Sequence, residues 1–199
     1  FLTHRIREAM SAAGDRTPRL SGVVEMDETY IGGKIRGKRS GYKDNKMMVM
    51  GAVERGGNIR LRVDRRLGAS ASAKSVDDFT DAHLSDDTTH VYTDEARAYN
   101  DIGRVDMPQT KRESVNHSTE EWVRGDVHTN NIESAWSLFK RSLVGSYHHL
   151  SLKYMNSYLD EFEWRFNNRT NRFLFRDTML ALIKSDTLTY SALKARTTA

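Results

Sequence analysis

The sequence predicts a single mixed α/β domain in which helices cover one sheet. Three observations lead to this prediction. The first half carries three consecutive strand patterns joined by short turns, the middle alternates helical and strand patterns, and the last third consists of amphipathic helical patterns. A length of 199 residues suits one domain with a sizeable core. We expect a helix and linker at 1–20, the main domain at 21–185 and a tail at 186–199.

The first half predicts one helix followed by an antiparallel meander. Leu2, Ile6 and Met10 recur at helical spacing. Strand patterns rich in β-branched and apolar residues then follow, the second of them ending in the turn Gly56-Gly57, which is typical of a hairpin. The predicted ranges are a helix at 1–14 and strands at 22–33, 46–57 and 59–67.

The second half predicts further strands between helices. A helix capped by Ser70 or Ser72 runs to about Leu84, and the short strand His90–Thr93 runs into a helix that starts near Glu95. Lys111–His117 is a candidate fifth strand. Amphipathic spacing then predicts three helices, at 130–145, 152–166 and 177–184.

The composition excludes several classes of protein. The chain has no cysteine, which removes disulfides, thiol catalysis and Cys-ligated zinc. It has no run of about 18 apolar residues, so we predict no membrane span. It also lacks a charged-then-apolar leader, and we therefore expect a cytoplasmic location.

Charge is distributed unevenly along the chain. From Lys34 to Arg66 eleven basic residues face three acids, a net of +8, whereas from Asp77 to Glu121 twelve acids face four bases, a net of −8. A basic stretch of this kind indicates a polyanionic partner such as nucleic acid. The alternative is a pair of solvated faces with no partner.

Three acids occupy positions that ordinary surface residues do not favour. Asp27 lies inside the first strand pattern, where Asp is depleted. Asp94 directly follows the fourth strand pattern, where open α/β sheets place their ligands. Glu133 opens a helix on which Lys140 lies two turns later, on the same face. Each also has an ordinary explanation. Asp27 fits a half-exposed strand acid, Asp94 fits a cap of the following helix, and Glu133 fits an acid favoured by the helix dipole.

Convergence of these acids would predict a divalent-cation site. Clustered carboxylates repel one another unless a cation lies between them. Oxygen ligands without cysteine favour Mg²⁺ or Mn²⁺ over zinc. Two such ions about 4 Å apart are the usual device for phosphodiester chemistry, so we expect two.

Several segments resemble a family of bacterial insertion-sequence transposases (ISXO-type). The matching residues are VEMDETYIGGK, VYTDEARAY, ESVNHS and VHTNNIESAWSLFKR followed by YHHLSLKYMNSYLDEFEWRFNNR. The resemblance covers about 22–172. It implies an RNase H-like fold, a mixed sheet of three antiparallel strands followed by further strands and covered by helices, with a DDE-type catalytic triad and a downstream lysine.

The resemblance assigns roles to particular residues. It matches Asp27, Asp94 and Glu133 to the catalytic, metal-binding triad and Lys140 to the lysine. Some relatives carry Asn or His as the third ligand, so Asn130 and Asn131 are alternatives to Glu133. We prefer Glu133 because it shares a helix face with Lys140 and because a carboxylate binds Mg²⁺ better than an amide does. The residues predicted to contact DNA are Lys34, Arg36, Lys38, Arg39, His128, Lys140 and Arg141.

The function that this resemblance implies is metal-dependent DNA cleavage and strand transfer at insertion-sequence ends. It implies double-stranded DNA as partner, a homo-oligomer on that DNA and a nucleoid-associated protein. Alternatives are an RNase H-like nuclease without strand transfer and an inactive, domesticated DNA-binding protein. Full-length relatives carry an N-terminal zinc-ribbon and a helical DNA-binding module. Neither is present here and the chain begins at Phe1, so we expect a piece of a longer protein.

Overall fold

A computed structural model describes residues 1–14, 17–32, 45–64, 66–103, 107, 109–147 and 151–195. Its helices are α1 (Leu2–Gly14), α2 (Ala73–His83), α3 (Asn130–Ser142), α4 (Met155–Asn167), α5 (Leu174–Lys184) and α6 (Tyr190–Ala195). Its strands are β1 (Leu20–Ile31), β2 (Met47–Glu54), β3 (Ile59–Asp64), β4 (Leu84–Thr93) and β5 (Lys111–Ser114). Within these residues, no helix has the length and apolar composition needed to cross a bilayer.

The strands form one mixed sheet in the order β3-β2-β1-β4-β5. The first three pair antiparallel as a meander, whereas β4 pairs parallel to β1 and β5 parallel to β4. This order confirms the predicted RNase H-like sheet of three antiparallel strands followed by further strands. It makes β1 the central strand, so that side chains on β1 reach both helical layers.

Helices cover both faces of the sheet. One face packs its apolar side chains against α2 and the turn at Arg97–Tyr99. The other packs against α3 and α4, and the buried residues Ile132, Trp136 and Phe139 lie on one face of α3. Because side chains alternate along a strand, even-numbered β1 residues such as Met26 face the α2 layer, and odd-numbered ones such as Asp27 face α3.

The structure differs from the predictions in several elements: α6 lies in the expected tail, and β5 ends at Ser114 rather than His117. Two further differences lie beside β1. The helix expected near Glu95 is a single 3₁₀ turn, Arg97–Tyr99, in which Tyr99 reaches into the core. The fourth strand begins at Leu84 rather than His90, because Leu84 pairs with Leu20 of β1 and extends the parallel ladder. The polar residues Ser85–Thr89 conceal this part of the strand, since Asp and Ser are poor strand formers.

Candidate active site

Asp27 lies at the middle of the central strand, under helix α3. It is opposite Gly51 in the register of β1 with β2. The indole Nε1 of Trp136 donates a hydrogen bond of 3.0 Å to its Oδ2 atom. Burial raises the pKa of Asp27 to about 7, with smaller contributions in the same direction from the charges of Glu28 and Asp94. The charged form of Asp27 is therefore destabilised by burial and by its negative neighbours.

Glu28 belongs to the opposite face of the sheet. Its Oε2 atom accepts a hydrogen bond from the buried hydroxyl of Tyr99, within the α2 layer. Sequence alternation predicts this orientation, and the structure confirms it. Glu28 therefore raises the pKa of Asp27 through its charge while it lies on the other side of the strand.

Asp94 directly follows β4, the strand that pairs parallel with β1. Its Oδ1 atom accepts a hydrogen bond of 2.9 Å from the backbone N–H of Ala96, which closes a short turn. Its backbone carbonyl accepts from Arg112 on β5. The charge of Asp94 is one of the smaller causes of the raised pKa of Asp27.

Glu133 lies in the first turn of α3, and its carboxylate has its own partners. Its Oε1 atom accepts from the hydroxyl of Thr129 at 2.9 Å and lies 3.9 Å from Nε2 of His117. Its side chain is nearly half exposed. Among the described residues, no three His, Asp or Glu side chains form a group that could hold a metal ion. The roles of Asp27, Asp94 and Glu133 as metal ligands therefore stay predictions.

The two asparagines differ in their contacts. Asn131 donates from its backbone N–H and from its side-chain Nδ2 to the carboxylate of Glu25, at 2.8 and 2.7 Å. Asn130 is exposed, and its backbone N–H donates to Nδ1 of His128 at 3.4 Å. The side-chain amide of Asn131 therefore serves the contact between β1 and α3, but both asparagines are exposed and both stay alternatives to Glu133.

Glu25 is a functional candidate that the sequence analysis missed. It is fully buried on β1, two residues before Asp27 and on the same face. Besides Asn131, its carboxylate accepts from the backbone N–H of Ile132 at 3.3 Å and from Nε of Arg55 at 2.8 Å. Nδ1 of His128 lies 3.2 Å from it. The available signal was the repeated acid in VEMDE, which places Glu25 and Asp27 on one face.

His117 is a second residue that the sequence analysis did not assign. It belongs to the segment ESVNHS, and its backbone N–H donates to Glu95, the neighbour of Asp94. Its ring stacks against Trp122 at a centroid distance of 4.6 Å. Nε2 is buried without a hydrogen-bond partner, on the side of Glu133. His117 thus connects the end of β4 with the first turn of α3.

The predicted DNA contacts fall into three groups. Lys140 and Arg141 are exposed on α3. His128 is half-buried, its ring lies against Glu25, and its carbonyl accepts from Arg55. The basic loop residues lie outside the described residues; they are Lys34, Arg36, Lys38 and Arg39.

A mixed α/β domain with a buried acid on its central strand and a second acid at the end of the adjacent parallel strand is the arrangement expected of a transposase catalytic domain. The ISXO2-like transposase domain family matches residues 19–167, and the chain belongs to this family. Asp27, Asp94, Glu133 and Lys140 all lie inside the matched range.

Individual relatives agree with this assignment. An uncharacterized protein in the transposable element ISH50 of Halobacterium salinarum is 30% identical over 176 residues, which cover 81% of this chain and 58% of that protein. The chain thus spans less than two thirds of that curated relative's length.

Two solved structures are similar at low identity. The catalytic core domain of HTLV-2 integrase, in complex with magnesium, is 14% identical with a TM-score of 0.42, over 75% of this chain and 87% of that one. The Mos1 strand transfer complex is 13% identical with a TM-score of 0.44, over 94% and 62%.

Proposed function

We propose that this chain is the catalytic domain of a transposase that cleaves DNA and transfers the cut strand to a target, using divalent cations. The observation that carries the proposal is the buried Asp27 carboxylate on the central strand, whose pKa is raised in part by Asp94 at the end of the adjacent parallel strand. Both acids belong to the segment that matches a transposase domain family. The substrate is double-stranded DNA, and the acting form is a homo-oligomer on that DNA.

The donor set suits Mg²⁺ or Mn²⁺. Asp27 and Asp94 offer only oxygen ligands, which hard divalent cations prefer. The raised pKa of Asp27 reflects burial and negative neighbours, both of which a cation would offset. Asp27 and Asp94 would hold the cation, with Glu133, Asn130 or Asn131 as the third ligand. When bound, a pair of such ions supplies an activated attacking oxygen and stabilises the leaving one.

The remaining roles belong to groups that bind and orient DNA. Lys140 lies on α3 two turns after Glu133 and is exposed, so its ammonium can meet a phosphate beside the acids. The basic loop predicted at Lys34–Arg39 would add phosphate contacts that do not depend on base sequence.

The test is cleavage of supercoiled plasmid by the full chain with Mg²⁺ or Mn²⁺, compared with EDTA. We expect Asp94→Asn to reduce the rate roughly a thousandfold, because losing a metal ligand removes several kcal/mol of transition-state stabilisation. Asp87→Asn, which changes an exposed acid on β4, is the matched control. Cleavage that persists in EDTA or in Asp94→Asn would refute the proposal. Nicking without joined products would instead indicate a nuclease without strand transfer.

Lys140→Ala should slow cleavage more than it weakens DNA binding. Its place on the face of Glu133 suggests that it orients a phosphate near the acids, so its contribution is largest in the reacting complex. Single-turnover rates and binding to a DNA duplex by anisotropy would be measured together. Lys184→Ala, an exposed lysine near the end of α5, is the control. A Lys140→Ala variant that loses affinity alone would remove this residue from the catalytic group.

Replacing Lys34, Arg36, Lys38 and Arg39 together by Ala should make DNA binding less dependent on salt. Each lost phosphate contact lowers the slope of log K against log salt by about 0.9, so the slope should fall by up to about 4. The measurement is a salt titration of duplex binding, with Lys74→Ala and Lys184→Ala as a double control. An unchanged slope would assign the basic run to a solvated face.

A further inference from the structure

The indole of Trp136 is built into the sheet directly against Asp27. Trp136 is 4% exposed, and its Nε1–H donates to Oδ2 of Asp27 at 3.0 Å. The residue opposite Asp27 on β2 is Gly51, and a Cβ there would lie 2.5 Å from Cη2 of Trp136. A side chain at position 51 would therefore displace the indole. The strand pair is shaped to admit this ring beside this carboxylate.

The indole N–H of Trp136 limits the orientations in which Asp27 can bind a ligand. A carboxylate offers about four lone-pair sites on two oxygens and rotates about its Cβ–Cγ bond. One site receives the indole N–H of Trp136. This donor restrains the rotation of the carboxylate and leaves its remaining lone pairs for a ligand. An indole is well suited to this task because it is rigid and carries a single donor.

We propose that Trp136 is a positioning residue for Asp27, whose indole N–H holds the carboxylate in the orientation that a divalent cation needs. This inference rests on the proposed function, because it requires that Asp27 binds a cation. Groups that hydrogen-bond to a metal ligand orient that ligand, and their loss typically costs 10- to 100-fold in metal affinity. Trp136 is buried in the core, and its only polar atom, Nε1, contacts the proposed metal ligand Asp27.

The experiment is a Mn²⁺ titration of the full chain at pH 8, followed by the electron paramagnetic resonance signal of free Mn²⁺. We expect Trp136→Phe, which removes the N–H and keeps an aromatic ring, to bind Mn²⁺ 10- to 100-fold more weakly. Trp164→Phe is the matched control, since it removes an indole hydrogen bond to Thr178 at 3.1 Å, away from Asp27. It should bind within twofold of the unaltered chain. Circular dichroism establishes that each variant is folded.

Asp27→Asn separates failure of this inference from failure of the proposed function. If the unaltered chain binds no Mn²⁺, or if Asp27→Asn binds it equally well, the proposed function fails and the inference fails with it. If Asp27→Asn loses binding while Trp136→Phe retains full affinity, the proposed function stands and the positioning role is overturned.

A second measurement applies if Trp136→Phe does not fold. In a chain carrying Trp122→Phe and Trp164→Phe, Trp136 is the only tryptophan and reports its own surroundings by fluorescence. Mg²⁺ should change this emission, and an added Asp27→Asn should abolish the change. If the fluorescence of Trp136 does not change on addition of Mg²⁺ although Mn²⁺ binds through Asp27, the proposal is overturned.

Discussion

Asp27→Asn should stabilise the folded chain above pH 7 in the absence of divalent cations, although it should abolish metal-dependent cleavage. The pKa of Asp27 is raised from 3.8 to about 7, mainly by burial. The folded state therefore binds this proton more tightly than the unfolded state does. Stability contributed by the protonated carboxyl is complete below pH 3.8 and is lost as the pH rises through 7.

The size of the effect follows from the same shift. A difference of about 3 pKa units corresponds to roughly 4 kcal/mol in the free energy of unfolding. Asn does not titrate, so its advantage over Asp should grow by up to about this amount between pH 4 and pH 8. In Mg²⁺ the unaltered chain should become the more stable of the two, because the cation binds to Asp27 and stabilises that chain but not the variant.

Urea denaturation at several pH values between 5 and 8, in EDTA and then in Mg²⁺, measures both effects. Asp87→Asn serves as control because its side chain is exposed on β4. A variant that is less stable than the unaltered chain at pH 8 in EDTA would mean that Asp27 is a structural acid. Equal responses of the two chains to Mg²⁺ would show that the cation binds elsewhere.

Local patterns predict much of this fold because most of its elements are locally encoded. The alternation of Ile59, Leu61 and Val63 predicts β3, and the apolar spacing from Ile132 to Phe139 predicts the buried face of α3. The start of β4 could not be predicted in this way. Its residues Ser85–Thr89 are polar, and pairing with β1 over a long sequence separation makes them a strand.

The site residues also differ in whether local sequence patterns predict them. Asp27 and Asp94 stand out in sequence because they interrupt or end strands, and the effect of Asp94 on the pKa of Asp27 follows from the parallel pairing of β1 and β4. The groups that hold Asp27 in place do not stand out. In the sequence Trp136 looks like an ordinary core residue on an apolar helix face. Its hydrogen bond to Asp27 joins residues 109 positions apart, so local patterns do not predict it. Glu25 is likewise recognisable only once α3 is docked on β1.

Glu25→Gln should cost about 3–5 kcal/mol of stability and should loosen the start of α3. The carboxylate is fully buried and accepts from Arg55, from Asn131 and from the backbone N–H of Ile132. Gln is nearly isosteric, but it removes the charge that Arg55 pairs with and turns an NH₂ group toward some of these donors. Breaking one partner of a buried ion pair leaves the other charge uncompensated, which carries a penalty of this size.

Urea denaturation measures the loss of stability, and hydrogen exchange locates it. The amides of Asn131 and Ile132 should exchange faster in Glu25→Gln, because their acceptor is lost. Glu161→Gln is the control: Glu161 accepts from Arg7 at 2.8 Å and is 15% exposed, in a pair that joins α1 to α4. It should lower stability without changing exchange at the start of α3. A Glu25→Gln variant within about 1 kcal/mol of the unaltered chain would contradict this account. If α3 does loosen, Trp136 moves with it and the affinity for Mn²⁺ should fall, since the same helix carries the indole that orients Asp27.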